Sequence, residues 1–251
     1  PDRENFIERE AFTLGALELF KTPECPLVAL PYAYKNFHIV ADCRIDNREE
    51  LAKELGVSDI SKHSDIEFIA RAYEKYGEDA PKKLKGDFAF VIWDESNQEL
   101  FAATDHFGVR TLYYTELEDQ LVFASEIKGI LAYPNFKKEF NEAYIVGVFS
   151  ALQIPIEETL YLNLFLLPAA HQFTFKNGKL SLKKYWQLGD TVVAIPATVA
   201  EQEAEFNRLA YQSVRSRLRS YRKIGGEVSG GLDSTGIAAA VTAMHRNGLD
   251  F

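Results

Sequence analysis

The six residues Phe88-Ala89-Phe90-Val91-Ile92-Trp93 are apolar without interruption. A strand with one wet face alternates apolar and polar side chains, so a run that is apolar throughout belongs to a strand covered on both faces. Shorter β-rich runs flank it at residues 37–40, 100–104, 111–115 and 121–124. The polar turn residues Asp94-Glu95-Ser96-Asn97 and His106-Phe107-Gly108 separate them. Close succession with short polar gaps predicts antiparallel hairpins and a meander. Two helices interrupt the strands. One starts near Asp46 and runs through Arg48 and Leu51 to Leu55, with Gly56 as its C-terminal cap. The other opens on a capping box, Ser64 with Glu67, buries Ile66, Ile69, Ala70 and Tyr73 on one stripe, and ends near Gly77. Doubly covered strands with helices outside predict an α+β layered sandwich.

The register changes after Tyr185-Trp186. Residues 189–198, with Gly189 and Pro196, read as a linker. An amphipathic helix is expected over residues 199–221, with Phe206, Leu209, Ala210, Val214, Leu218 and Tyr221 on one face. The basic run Arg215, Arg217, Arg219, Arg222 and Lys223 falls on its other face and just past its end. It reads as a solvated face complementing the helix dipole, the alternative being a role beside bound phosphates or an acidic partner. A strand at residues 224–228 and a helix over residues 234–245 are expected next. One strand–loop–helix cannot bury its own apolar face, so this second unit reads as the start of a parallel-sheet domain. The expected division is 1–188 and 189–251.

Composition narrows the function classes. A net charge of −9 and a pI near 5.2 argue against a nucleic-acid or anionic-membrane footprint. The two cysteines, Cys25 and Cys43, form no CxxC pattern, which argues against a disulfide framework or a zinc site and for a reduced compartment. No apolar run reaches membrane-spanning length, so a cytoplasmic location is expected.

The chemistry concentrates in Ser229-Gly230-Gly231-Leu232-Asp233-Ser234, with Val228 before it. Gly230 and Gly231 let backbone approach a ligand closely. The hydroxyls of Ser229 and Ser234 and the first N–H groups of the following helix converge on one space, an anion site. Asp233 can accept from the loop or hold a divalent cation. The loop differs from the Walker loop GxxxxGK[ST], since no Lys follows. The loop resembles the Ser-Gly-Gly-x-Asp-Ser loop of the ATP-pyrophosphatases, which holds the pyrophosphate of ATP while a carboxylate is adenylated, and the resemblance implies Val228, Ser229, Gly230, Gly231, Leu232, Asp233 and Ser234 as ATP contacts and Asp233 as a Mg2+ ligand.

With that loop in place, the chain resembles the asparagine synthetase (glutamine-hydrolysing) family almost end to end. Leu84-Lys85-Gly86-Asp87-Phe88-Ala89-Phe90-Val91-Ile92-Trp93-Asp94 is similar to its L-x-G-D/M-F-A-F-x-x-W/Y-D strand. Thr104-Asp105-His106-Phe107-Gly108-Val109-Arg110-Thr111-Leu112-Tyr113-Tyr114 resembles its R-D-x-x-G-x-x-P-L-Y hairpin. Phe123-Ala124-Ser125-Glu126-Ile127-Lys128 and Leu167-Pro168-Ala169-Ala170-His171 follow in family order, and Tyr185-Trp186 closes the domain. The resemblance implies a four-layer αββα Ntn-hydrolase sandwich followed by the beginning of an α/β ATP-pyrophosphatase domain. It also implies an ATP- and Mg2+-dependent ligase acting on small molecules: ATP, aspartate or another carboxylate, and glutamine or ammonia. No nucleic-acid or membrane partner is implied, and a homodimer is compatible.

The departures from the family bear on the glutaminase half. Its nucleophile is an N-terminal cysteine, whereas Pro1-Asp2 resembles the end of an internal R-G-P-D segment, so no catalytic residue is expected in this stretch of sequence. An arginine that grips the glutamine carboxylate should fall within Leu14-Gly15-Ala16-Leu17-Glu18-Leu19, where there is none. The oxyanion Asn-Gly pair aligns with Asp42-Cys43, and an ionised Asp repels an oxyanion that an Asn amide would stabilise. Asp65 matches the acid that holds the glutamine α-amine, or serves as a first-turn helix acid. Substrate-binding candidates are therefore Asp65, Asp42 and Cys43. Two alternatives remain open: an intramolecular amide ligase like the β-lactam synthetases and lasso-peptide cyclases, and a non-catalytic binding or assembly domain. The part of the synthetase domain present is not expected to perform the reaction alone.

Overall fold

The computed structural model describes residues 1–118, 120–190 and 193–248. Thr191 and Val192 of the expected linker, and the last three residues of the expected second unit, lie outside the described residues.

The centre is β5 (Gly86–Asp94), the uninterrupted apolar run. It pairs antiparallel with β4 (Phe37–Ile45) on one side and β6 (Glu99–Thr104) on the other. β3 (Tyr32–Tyr34) extends the sheet at one end, and the hairpin β10 (His171–Lys176) and β11 (Lys179–Lys184) extends it at the other, giving six strands in the order β11-β10-β6-β5-β4-β3. Period-two alternation divides the side chains of β5 between two cores. Phe88, Phe90 and Ile92 face α1 (Arg48–Leu55) and α2 (Asp65–Tyr76), burying Leu51, Phe68 and Ile69 against them; the short α3 (Ala80–Lys83) follows α2. Ala89 and Val91 face a second sheet, where Leu112, Tyr114 and Leu167 close the core.

That second sheet has the order β8-β7-β9, with β7 (Tyr113–Leu117) between β8 (Gln120–Ala124) and β9 (Phe165–Leu166). Its far face packs Val122 and Ala124 against Ile130 of α4 (Ile127–Leu131). The order helix, sheet, sheet, helix is the expected four-layer αββα sandwich. A separate hairpin, β1 (Arg3–Glu8) with β2 (Thr13–Glu18), flanks the open edge between the sheets, and α5 (Glu142–Phe149) precedes β9.

The second unit is α6 (Val199–Arg217) and α7 (Leu232–Arg246). They share a small core of Leu218, Ala240 and Met244. Two expectations need correction here. The strand expected at residues 224–228 is irregular backbone, because a strand exists only by its ladder and, among the described residues, none runs beside it. The helix expected to reach Tyr221 stops at Arg217, and only the end of its apolar face is covered: Val214 and Leu218 pack against α7, while Phe206 is 71% exposed.

Candidate functional site

A cleft of about 580 Å³ opens between the two sheets, bounded by β1–β2, the end of β4, the start of α2 and the rim of β7–β8. Lys21, Cys25, Asp42, Cys43, Asp65 and Ser125 all line it. The cleft forms because β4 continues past its pairing with Phe88 to Ile45, opposite Gly86. Gly86 has φ +138°, and a Cβ there would collide with the carbonyl oxygen of Arg44. Only glycine lets β5 begin this close to β4, next to the stretch that places Asp42 and Cys43 in the cleft wall. α2 enters the same corner through the capping box read from the sequence, with Glu67 accepting from the Ser64 N–H (2.7 Å) and hydroxyl (3.2 Å).

Asp65, the first residue of α2, is 4% exposed and fully engaged. Its Oδ2 accepts from the Ile45 N–H at 3.0 Å and from Arg219 Nη2 at 2.8 Å, and its Oδ1 accepts from Arg48 Nη1. Arg48 is itself anchored to the carbonyls of Ile60 and His63 and lies 3.4 Å from Glu24. The sequence leaves Asp65 between an amine-holding acid and a helix-dipole acid; the structure makes it the hub of a buried ion-pair cluster. Two guanidiniums and a backbone N–H on one buried carboxyl hold it in a single geometry through charge-assisted bonds.

Asp42 is paired as well, with Lys21 and, at 3.5 Å, with Arg110. The negative charge at the aligned oxyanion position is therefore offset by two cations. Cys43 lies on the opposite face of β4, against the helix-side core. Burial, then the charges of Asp65 and Asp42, pushes its thiol well above the ordinary cysteine range. That environment suppresses the thiolate, so Cys43 is no nucleophile at neutral pH.

The basic run corrects another expectation. Arg217 binds Asp87 (2.8 Å) and Asp46 (3.2 Å), Arg219 binds Glu24 (2.6 Å) and Asp65, and Arg222 binds Asp2 (2.7 Å). Arg44 donates back to the carbonyl of Arg219 at 2.8 Å and to that of Ser216. Tyr221 N–H reaches the Lys21 carbonyl at 3.0 Å, and its ring meets Phe20 edge-on. These arginines are a docking strip against acids of the sandwich, because the acids under α6's end come from segments more than a hundred residues earlier. Arg215 is exposed and, among the described residues, makes no ion pair to the sandwich. Burial would lower the basicity of Arg219, but Asp65 and Glu24 outweigh it and the net shift is upward. At Asp46 the balance is opposite: burial outweighs Arg217 and Arg44, and its carboxyl is raised.

The phosphate-loop residues stand together at the start of α7. Gly230 has φ +84°, in the region favouring glycine, with open space where a Cβ would stand. Ser229 Oγ and Ser234 Oγ lie 3.1 Å apart, and the Gly231 N–H donates to Ser229 Oγ at 3.4 Å. Gly231 caps α7 with no side-chain bond, so that among the described residues the first-turn N–H groups of Leu232, Asp233 and Ser234 have no side-chain cap. Val228 and Leu232 are exposed beside them. The loop and the cleft are distinct places, joined by residues 218–231. Lys21, Glu24, Arg48 and Arg110 escaped the sequence reading as site residues, since no local pattern marks them, and Arg219 entered it only as part of the basic run.

Residues 1–186 match the family described as the glutamine amidotransferase domain. The chain belongs to that family. Residues 205–250 match the asparagine synthase family, so the resemblance to glutamine-hydrolysing asparagine synthetases read from the sequence is borne out across both units. Asparagine synthetase [glutamine-hydrolyzing] 1 of Bacillus subtilis is 31% identical over 224 residues, covering 86% of this chain and 34% of that protein. A putative asparagine synthetase [glutamine-hydrolyzing] 2 of Methanocaldococcus jannaschii is 31% identical over 207 residues, covering 81% of this chain and 40% of the relative. The chain thus spans about a third of the length of the curated relatives it matches. Among solved structures, the glutamine phosphoribosylpyrophosphate amidotransferase from B. subtilis aligns at TM-score 0.43 and 19% identity, covering 61% of this chain and 30% of that one. Among the described residues no helix is long and apolar enough to cross a membrane.

Proposed function

We propose that the chain is the glutamine amidotransferase portion, with the first part of the synthetase portion, of an ATP-dependent carbon–nitrogen ligase of the asparagine synthetase type. The division falls at 1–188 and 189–251. The observation that carries this reading is the order of parts: an amidotransferase-family sandwich with a cleft between its sheets, followed by a glycine-rich loop opening α7.

The loop fits a nucleotide. The positive φ of Gly230, the open space at its Cβ and the uncapped helix start leave room and N–H donors for phosphate oxygens. Val228, Ser229, Gly230, Gly231, Leu232 and Ser234 would hold the pyrophosphate of ATP, and Asp233 would hold Mg2+. When bound, ATP supplies the leaving group that activates a carboxylate. Ser229 and Ser234 orient their hydroxyls toward one point, and the α7 dipole favours negative charge there. In the cleft, Asp65, Asp42 and Cys43 form the glutamine-side wall. The soluble small molecules ATP, aspartate or another carboxylate, and glutamine or ammonia are the substrates, and the cytoplasm is the location.

Carboxylate-dependent ATP–pyrophosphate exchange on the product of the complete gene tests this. Exchange with aspartate supports the reading, and Asp233→Ala is expected to reduce it at least a hundredfold. Exchange only with a larger acyl substrate supports an intramolecular amide ligase instead. No exchange with any carboxylate by the folded protein overturns the ligase reading.

A further inference from the structure

Of the three donors that saturate Asp65, two belong to the sandwich itself. The Ile45 N–H is part of β4, and Arg48 is held by the Ile60 and His63 carbonyls. The third comes from outside. Arg219 lies on the segment between α6 and the phosphate loop, yet its guanidinium reaches Asp65, which lines the cleft, and binds Asp65 Oδ2, Glu24 and the Ile45 carbonyl (3.0 Å) together. Its side chain is only 21% exposed.

We propose that Arg219 is a built-in cation that occupies the ammonium site of the cleft at Asp65, so that an amine-bearing ligand and the docked arm carrying the phosphate loop exclude one another. This rests on the reading that the cleft takes an amino acid by its α-amine. An ammonium seeking Asp65 needs the same Oδ2 that Arg219 holds. Both cations at that oxygen would stand within a few ångströms of each other in a buried corner, where like charges repel strongly. Displacing Arg219 also separates it from Glu24 and the Ile45 carbonyl, and disturbs the bonds that Arg44 makes to the Arg219 and Ser216 carbonyls. Entry of the ligand therefore loosens residues 216–222, the start of the connection to Ser229. By linkage, docking of that segment weakens the ligand by the same factor. Arg219 thus sets what the cleft accepts: neutral or amine-free ligands enter with the arm docked, amine-bearing ones only with it released.

The test uses this chain as wild type, Arg219→Ala, Arg219→Gln and Arg222→Ala, each checked for native circular dichroism. The first probe is methylammonium, followed by saturation-transfer NMR, with tetramethylammonium as a donor-free control. Saturable methylammonium binding is expected in Arg219→Ala or Arg219→Gln, whichever folds, and in neither wild type nor Arg222→Ala. Equal binding in wild type, or none in either Arg219 variant, overturns the proposal. The second probe is calorimetric titration with glutamine and with glutaramate, which lacks the α-amine. Glutamine is expected to bind the Arg219 variants at least tenfold more tightly than wild type, with glutaramate unchanged. Equal tightening of both ligands overturns the competition for Asp65. Methylammonium binding without glutamine binding upholds the competition and overturns the glutamine reading of the cleft.

Discussion

Cys43 and Gly86 face each other's strands at one end of the cleft, and each is fixed by what surrounds it. The Cys43 thiol is held neutral by burial first and by the charges of Asp65 and Asp42 next. A folded-state pKa above the unfolded one means this group contributes stability below about pH 8.5, lost as pH rises through the folded value. Because the thiolate is the reacting form, alkylation of Cys43 in a Cys25→Ser background should run at least tenfold slower at pH 8 than that of a free cysteine, and should accelerate as pH rises. A rate equal to free cysteine would remove the charge argument. Gly86 is constrained by backbone instead. With φ +138° and the Arg44 carbonyl in the way, Gly86→Ala should cost about 2 kcal/mol or more in urea unfolding. A loss within 0.5 kcal/mol would mean β4 and β5 can part without consequence.

Elements differ in how clearly the sequence announces them, and the difference is physical. β5 and α2 are legible because their signals are local: six apolar residues in a row, and a Ser–Glu pair three apart before an apolar stripe. That capping box should therefore be worth its ordinary amount, and Ser64→Ala should lower stability by about 1 kcal/mol in the same unfolding experiment. No change would mean that Asp65's ion pairs alone hold the helix start. β1–β2 and β11 are illegible for the opposite reason. Edge strands protect themselves with charge, so Arg3–Glu8 and Lys179–Lys184 carry no apolar run that would announce a strand although they pair fully. The candidate site divides in the same way. The phosphate loop is legible because six consecutive residues make it, and its glycine and serine geometry follows from their order. The cleft's cations are not, since Arg219 meets Asp65 across 154 positions. A local charge run states its sign, never which acids the fold will bring beneath it, and so Arg217, Arg219 and Arg222 read as a solvated face.

At the scale of the whole molecule, the sandwich and the α6–α7 arm are held by different kinds of force. The sandwich has three contiguous cores spanning all four layers. The arm has Leu218, Ala240 and Met244, with Val214 and Val241 half-buried against them. What fastens it to the sandwich is mainly a strip of ion pairs from Arg217, Arg219 and Arg222. The pairs of the half-exposed Arg217 and the exposed Arg222 contribute about 1 kcal/mol or less each, and salt screens them, whereas buried apolar contacts are insensitive to salt at this level. The two regions should therefore open at different free energies. Amide hydrogen exchange should show α7 losing protection by local opening while β4 and β5 exchange only on global unfolding. Raising salt to about 0.5 M should speed exchange at Tyr221, whose N–H bonds the Lys21 carbonyl, and leave Val91 unchanged. The exposed part of the α6 face, at Phe206 and Leu209, adds nothing to either opening, so Phe206→Glu should leave the profile intact, within about 0.5 kcal/mol. Protection in α7 equal to that in β5, or loss of both together in salt, would show that arm and sandwich fold as one unit and that the arginine strip is not what joins them.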